Sequence, residues 1–143
     1  MSAPTQFRHY LISQDAAGNN IELARSGDQV VVLAFDSQRC LFVNCHVLLE
    51  PVTNWSAFEA NARSLQQHGH PLLARLLDFG EDDGSPFYIT ANVDGETVRE
   101  MISRLDQLPA WLAMRLATLA LRAVRALGTR GDFLSAQPLD ALR

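Results

Sequence analysis

The chain has 143 residues, a formal net charge of -4 and twelve cationic side chains, all of them arginines. With no lysine it supplies no Schiff base, no lysine general base and no phosphate-loop lysine, and its acidity argues against nonspecific nucleic-acid binding. The length suits one domain and the 48% hydrophobic composition suits a packed core, while no apolar run reaches the roughly 18 residues of a membrane span.

The first half reads as strands. The polar start, Met1 to Phe7, does not read as a signal peptide. Residues 7–13 form one strand candidate, closed by Gly18-Asn19-Asn20, and residues 20–25 a weaker one before a Ser26-Gly27-Asp28 turn. The run at 30–35 ends at Asp36-Ser37-Gln38, and the run at 41–49 stops at Pro51. Their short polar connection predicts an antiparallel hairpin. Cys40 and Cys45 are five apart; on a strand their side chains face opposite ways, so two reduced thiols of a cytoplasmic protein are expected.

Then the period changes. Ser56-Ala57-Phe58-Glu59 reads as a capping box opening a helix to about Gln67, with Phe58, Ala62 and Leu65 on one face. His68-Gly69-His70-Pro71 stops it. A strand at 72–78, a turn at 81–84 and a strand at 87–93 follow, and Gly95 breaks the chain. A short helix at 96–104 precedes a long one that starts at Pro109 and runs to about Leu127, ended by Gly128. That long helix is apolar nearly all round, interrupted only by Arg115, Arg122 and Arg125. It needs cover on more than one side, from the preceding helix or from another chain.

At residues 70–84, from His70-Pro71-Leu72-Leu73 to Asp83-Gly84, the sequence resembles the stretch after the αC helix of bacterial serine/threonine protein kinases. Phe87-Tyr88-Ile89-Thr90-Ala91-Asn92-Val93-Asp94-Gly95-Glu96-Thr97-Val98-Arg99 resembles the fifth strand, hinge and αD entry of that family. The resemblance spans about residues 20–130. It implies an α+β fold: a kinase N-lobe-like antiparallel sheet of about five strands with one αC-like helix, followed by two helices. Within a single domain, 1–143, it implies an N-lobe-like part at about 1–93, αD- and αE-like helices at about 94–130 and a tail at 131–143.

The resemblance also locates a degenerate nucleotide pocket. The glycine positions of the phosphate-covering loop hold Ala24, Ser26 and Gln29, and Asp28 adds repelling charge there. Val31 keeps the apolar position over adenine. The roof alanine reads Asn44, the phosphate lysine reads His46, and the αC glutamate reads Asn61. Thr90 takes the gatekeeper position, with the backbones of Ala91 and Val93 at the hinge. Asp78-Phe79-Gly80 precedes the hinge, so it does not correspond to the magnesium-binding triplet. No catalytic-loop triplet is readable after residue 130, where Asp132 comes too early.

A truncated, degenerate pseudokinase is therefore expected, with no catalytic residue, no cofactor and no metal. It is expected to act as a regulatory or interaction module that binds a protein partner or itself as a homodimer, through Trp111, Leu112, Leu116, Leu119 and Val124. Neither nucleic acid, membrane nor ATP is expected as a partner. The competing readings are a secretion-chaperone-like protein-binding module and an ATP-binding phosphotransferase remnant. His46 with His68 and His70 makes a poor metal set for want of further ligands at suitable spacing. Arg115, Arg122 and Arg125 read either as an anion patch or as a solvated or interface stripe.

Overall fold

Seven antiparallel strands and three helices make up the part of the computed structural model that is described, residues 5–67 and 69–128. The tail at 131–143, with Asp132, and His68 lie outside the described residues. Two compact units share the chain: one within Met1–Trp55 and Leu76–Asn92, the other within Ser56–Arg75 and Val93–Arg143.

The first unit is a curled sheet. Its strands are β1 (Gln6–Phe7), β2 (Tyr10–Ile12), β3 (Glu22–Arg25), β4 (Gln29–Asp36), β5 (Leu41–Leu48), β6 (Leu76–Asp82) and β7 (Ser85–Ala91). They run in the order β1-β2-β4-β5-β7-β6, and β3 pairs with β4 beside β2. Side chains alternate across a strand. One face therefore carries Val30, Val32 and Ala34 of β4, Val43 and Cys45 of β5, and Phe87 and Ile89 of β7, packed with Phe7, Tyr10 and Ile12. Cys45 is fully buried here, and burial pushes its thiol up to about 12. Cys40 is exposed in the preceding turn, and both cysteines are free.

The sheet has seven strands where about five were expected, and the expected strand at 7–13 is the main reason. It is broken at Arg8, whose φ is 50°, and folds into the β1–β2 hairpin. The strand expected at 72–78 begins at Leu76 instead. Residues 70–73 form a turn in which the Leu73 N–H donates to the His70 carbonyl (3.0 Å) and the Leu72 N–H to His70 Nδ1 (3.1 Å). Asp83 and Gly84 close the β6–β7 hairpin with φ of 49° and 77°, the left-handed pair that a two-residue hairpin turn requires.

Asp36 fixes the β4–β5 turn from a fully buried position. Its carboxylate accepts from the N–H groups of Gln38 (2.9 Å) and Arg39 (3.0 Å) and from the Arg39 guanidinium (2.9 Å). Burial alone would raise this acid; the Arg39 guanidinium, the two N–H groups and His9 hold it below the ordinary carboxylate range.

Side chains draw the two ends of the strand order together. The Tyr10 hydroxyl donates to Asp78 (2.9 Å), the Arg8 N–H donates to Asp82 (2.9 Å), and Phe7 packs on Phe87 with centroids 5.3 Å apart. The Arg8 guanidinium lies over the Phe87 ring at 5.3 Å and 3.8 Å from Asp78, directly against Gly80. A Cβ at Gly80 would collide with that guanidinium.

The second unit holds most of α1 (Trp55–Gln67) and all of α2 (Val98–Leu105) and α3 (Ala110–Gly128). α1 buries Phe58, Ala62 and Leu65, the face expected from spacing. Its first residue is Trp55, which places Ser56 inside the first turn rather than at the cap, so the box read at 56–59 does not open the helix. The capping box that does form is at α2. The Thr97 hydroxyl oxygen accepts from the Glu100 N–H (3.1 Å), and the Glu100 carboxylate accepts from the Thr97 N–H (2.7 Å). Glu96 and Arg104 pair bidentately beside it, both contacts at 2.7 Å.

Gly80→Ala is expected to cost about 1 kcal/mol of unfolding free energy, because Arg8 must leave Phe87 and Asp78. In an Arg8→Ala background the same change should be neutral or slightly stabilising, since a strand glycine otherwise gains from a Cβ. Urea unfolding of the four-member cycle checks this; additive effects would contradict the contact.

Candidate functional site

The opposite face of the sheet is apolar at Val31 but otherwise unusually polar for its burial. β5 turns Val43 and Cys45 toward the core, so Asn44 and His46 project the other way. Val31 sits opposite His46 across the β4–β5 pair, and Thr90 opposite Asn44 across the β5–β7 pair. All four are 5–8% exposed. Four of the expected pocket positions thus share one sheet face.

That face is occupied by its own hydrogen bonds. His46 Nε2 lies 2.9 Å from the Thr90 hydroxyl. The imidazole stacks on the Tyr88 ring, with centroids 4.2 Å apart and planes 11° from parallel. The Tyr88 hydroxyl donates to the Gln29 side-chain carbonyl at 3.0 Å. Burial pushes His46 down to about 4, so its ring is neutral at pH 7. Two polar atoms of this face, Asn44 Oδ1 and His46 Nδ1, are buried without a hydrogen-bond partner in the protein.

The β3–β4 connection, where the resemblance places the phosphate-covering loop, is also closed on itself. The Ser26 N–H donates to the Gln29 carbonyl (2.9 Å), and the Ser26 hydroxyl donates to the Asp28 carboxylate (2.6 Å). Gln29, read as a lost glycine position, is 4% exposed and belongs to the Tyr88 bond.

The remaining pocket positions are placed differently. Ala91 ends β7, half-buried and opposite Val43. Asn61 is half-buried on α1, and Val93 is exposed beyond β7; both belong to the second unit. The expected interface set divides as well. Trp111 and Val124 are exposed on α3, whereas Leu112, Leu116 and Leu119 are half-buried. Met114 and Leu121, not in that set, are 72% and 70% exposed, the highest among the described apolar side chains of the helix. Among the described residues no cluster of three or more potential metal ligands occurs, and no helix is long and apolar enough to cross a membrane.

Tyr88 and Gln29 were missed as members of this face. Strand alternation could have found both, since each lies two residues before an expected pocket position, Thr90 and Val31.

No protein-family model matches the chain, and no curated protein matches it in sequence. Solved structures do. Rad53 residues 1–466, crystallised in complex with AMP-PNP, superposes with a TM-score of 0.67 at 14% identity, over 85% of this chain and 31% of that one. The kinase domain of Mycobacterium tuberculosis PknI superposes with a TM-score of 0.63 at 19% identity, over 83% of this chain and 48% of that one. The chain has a protein-kinase-like fold. It spans less than half the length of either neighbour. On this kinase-like sheet, the face bearing Val31, Asn44, His46 and Thr90 holds a neutral imidazole and, among the described residues, no buried cation.

In the unfolded chain an imidazole titrates near ~6.5. Native His46 stays neutral until about 4. Between those values the unfolded state binds the extra proton, so this contribution to stability is present above pH ~6.5 and is lost as pH falls toward 4. Urea unfolding at pH 7 and pH 4.5 should find the wild type losing about 2 kcal/mol more than His46→Gln. Equal losses would place the imidazole in water.

Proposed function

We propose that this chain is a pseudokinase-like module that acts by binding protein, in the first place a second copy of itself, and not by phosphoryl transfer. The observation that carries the non-catalytic part is His46. The position that the resemblance assigns to a phosphate-pairing lysine holds an imidazole that is buried, neutral, stacked on Tyr88 and bonded to Thr90. Phosphoryl transfer relies on cations and metal ions to offset charge on the phosphates. Among the described residues nothing buried on this face offers a positive charge, and the chain contains no lysine. Differential scanning fluorimetry with ATP and magnesium is expected to leave the midpoint within about 1 °C; a rise of several degrees would overturn the reading.

Self-association is supported by α3. Trp111, Met114, Leu121 and Val124 are 61–72% exposed, more apolar surface than a helix ordinarily leaves in water. Their spacing is symmetric about the Ala117–Thr118 peptide: Met114 mirrors Leu121, and Trp111 mirrors Val124. An antiparallel copy crossing at that point would set Met114 on the partner's Leu121 and Trp111 on the partner's Val124, twice over, as a two-fold interface demands. Ala117 and Thr118, which mirror each other across that point, present little bulk where the helices would approach. Light scattering at ~100 μM is expected to give twice the chain mass for the wild type and the single chain mass for Leu121→Glu. A monomeric wild type would refute the interface.

A further inference from the structure

A second feature of α3 borders its exposed apolar side, since Arg125 follows Leu121 by four residues. In the second unit, His70–Leu72 and the 119–126 stretch of α3 bound a cleft of about 600 Å³. Its apolar lining comes from Pro71, Leu72, Leu119 and Ala126, and its polar groups are His70, Arg122 and Arg125. No carboxylate is among these lining residues.

Three features of the cleft go together. First, charge is segregated: α3 carries three arginines and no acidic residue, in a chain whose net charge is -4. Arg122 and Arg125, three apart, are exposed and form no ion pair among the described residues. Arginines near a helix C-terminus do favour the helix dipole, but that explains each cation alone and not their convergence with His70. Second, the His70 ring is committed. Its Nδ1 accepts from the Leu72 N–H (3.1 Å), which leaves Nε2 as the ring's donor. Third, the volume lies in the range of small-ligand sites, ~300–1,000 Å³. An anionic group fills only a fraction of it, leaving apolar wall for the rest of a ligand.

We propose that this cleft binds a phosphomonoester carried on an apolar group. Two guanidinium groups offer a double positive charge and planar forks of donors, which suits a phosphoryl dianion better than a single carboxylate. Leu72, Leu119 and Pro71 take the apolar body. The site rests neither on the kinase-like sheet face nor on self-association.

Phenyl phosphate is the probe, titrated by calorimetry into the full chain in phosphate-free buffer, with inorganic phosphate and benzoate as the two partial ligands. Phenyl phosphate is expected to bind at least tenfold tighter than either. Arg122→Gln with Arg125→Gln should weaken it tenfold or more, while Arg115→Gln, outside the cleft lining, should leave it unchanged. The arginines are exposed, and circular dichroism checks that the variants are folded. No saturable binding of phenyl phosphate up to about 10 mM would overturn the proposal. So would benzoate binding as tightly, which would make the site a carboxylate site, or full affinity in the folded double variant, which would place the ligand elsewhere. A monomeric chain that still binds phenyl phosphate would separate this site from the dimer interface.

Discussion

Burying an imidazole costs its charge. His46 sits at the centre of a sheet face with Tyr88 stacked on one side and the Thr90 hydroxyl at hydrogen-bond distance, and the low dielectric around it keeps it neutral. Much of the face follows from that choice. A cation in this place would need a buried partner carboxylate, and Val31, Asn44, Thr90 and Tyr88 supply none. The neutral ring instead permits a layer of uncharged polar side chains, Gln29 to Tyr88 and His46 to Thr90, buried at little electrostatic cost. The layer is incompletely satisfied, since Asn44 Oδ1 and His46 Nδ1 are left over. Unpaired buried polar atoms cost stability, so this face is less well satisfied than the apolar core on the other side of the same strands.

The Asp78-Phe79-Gly80 triplet shows how sequence likeness and physical role part company. Here Asp78 accepts from the Tyr10 hydroxyl, and Gly80 leaves room for the Arg8 guanidinium. Both help hold the β1–β2 hairpin against β6 and β7 without a backbone ladder between them. An unpaired sheet edge is a liability that proteins cover or block, and here an arginine and a tyrosine from the first hairpin lean across it. The triplet is thus part of how the sheet curls.

Much of this was legible in the residues. The β-branched runs gave β4 and β5 within one residue of their ends, and the 3.6-residue spacing of Phe58, Ala62 and Leu65 gave the buried side of α1. What escaped were features set by backbone bonds or by distant partners. Arg8 takes a left-handed φ that its residue type does not advertise, which split one expected strand into a hairpin. The Thr97-Val98-Arg99-Glu100 box was readable, but the similar Ser56-Ala57-Phe58-Glu59 drew the eye to a helix that begins one residue earlier. On the polar face, Val31, Asn44, His46 and Thr90 were picked out by the resemblance to the kinase family, and strand alternation puts them on one side. The Tyr88 stack depends on cross-strand register, which a single strand's sequence does not encode.

α3 brings the two halves of the functional reading together. A helix that is apolar nearly all round was expected to need a second partner, and the structure divides its surface. Leu112, Leu116 and Leu119 are half-buried, while Met114 and Leu121, seven apart, remain in water. Seven residues are close to two helical turns, so these two stack along one side. Leu119 and Ala126, also seven apart, stack along another with Arg122 beside them, while Arg125, four residues after Leu121, lies toward the first side. The side marked by Met114 and Leu121 gains only by losing water, which suits a like apolar surface. Arg122 gains by acquiring negative charge, which an apolar helix lacks. Arg125, four residues after Leu121, brings the same demand to the Met114–Leu121 side. A copy laid on that side would have to leave this guanidinium at the rim, in water, where a cation costs least.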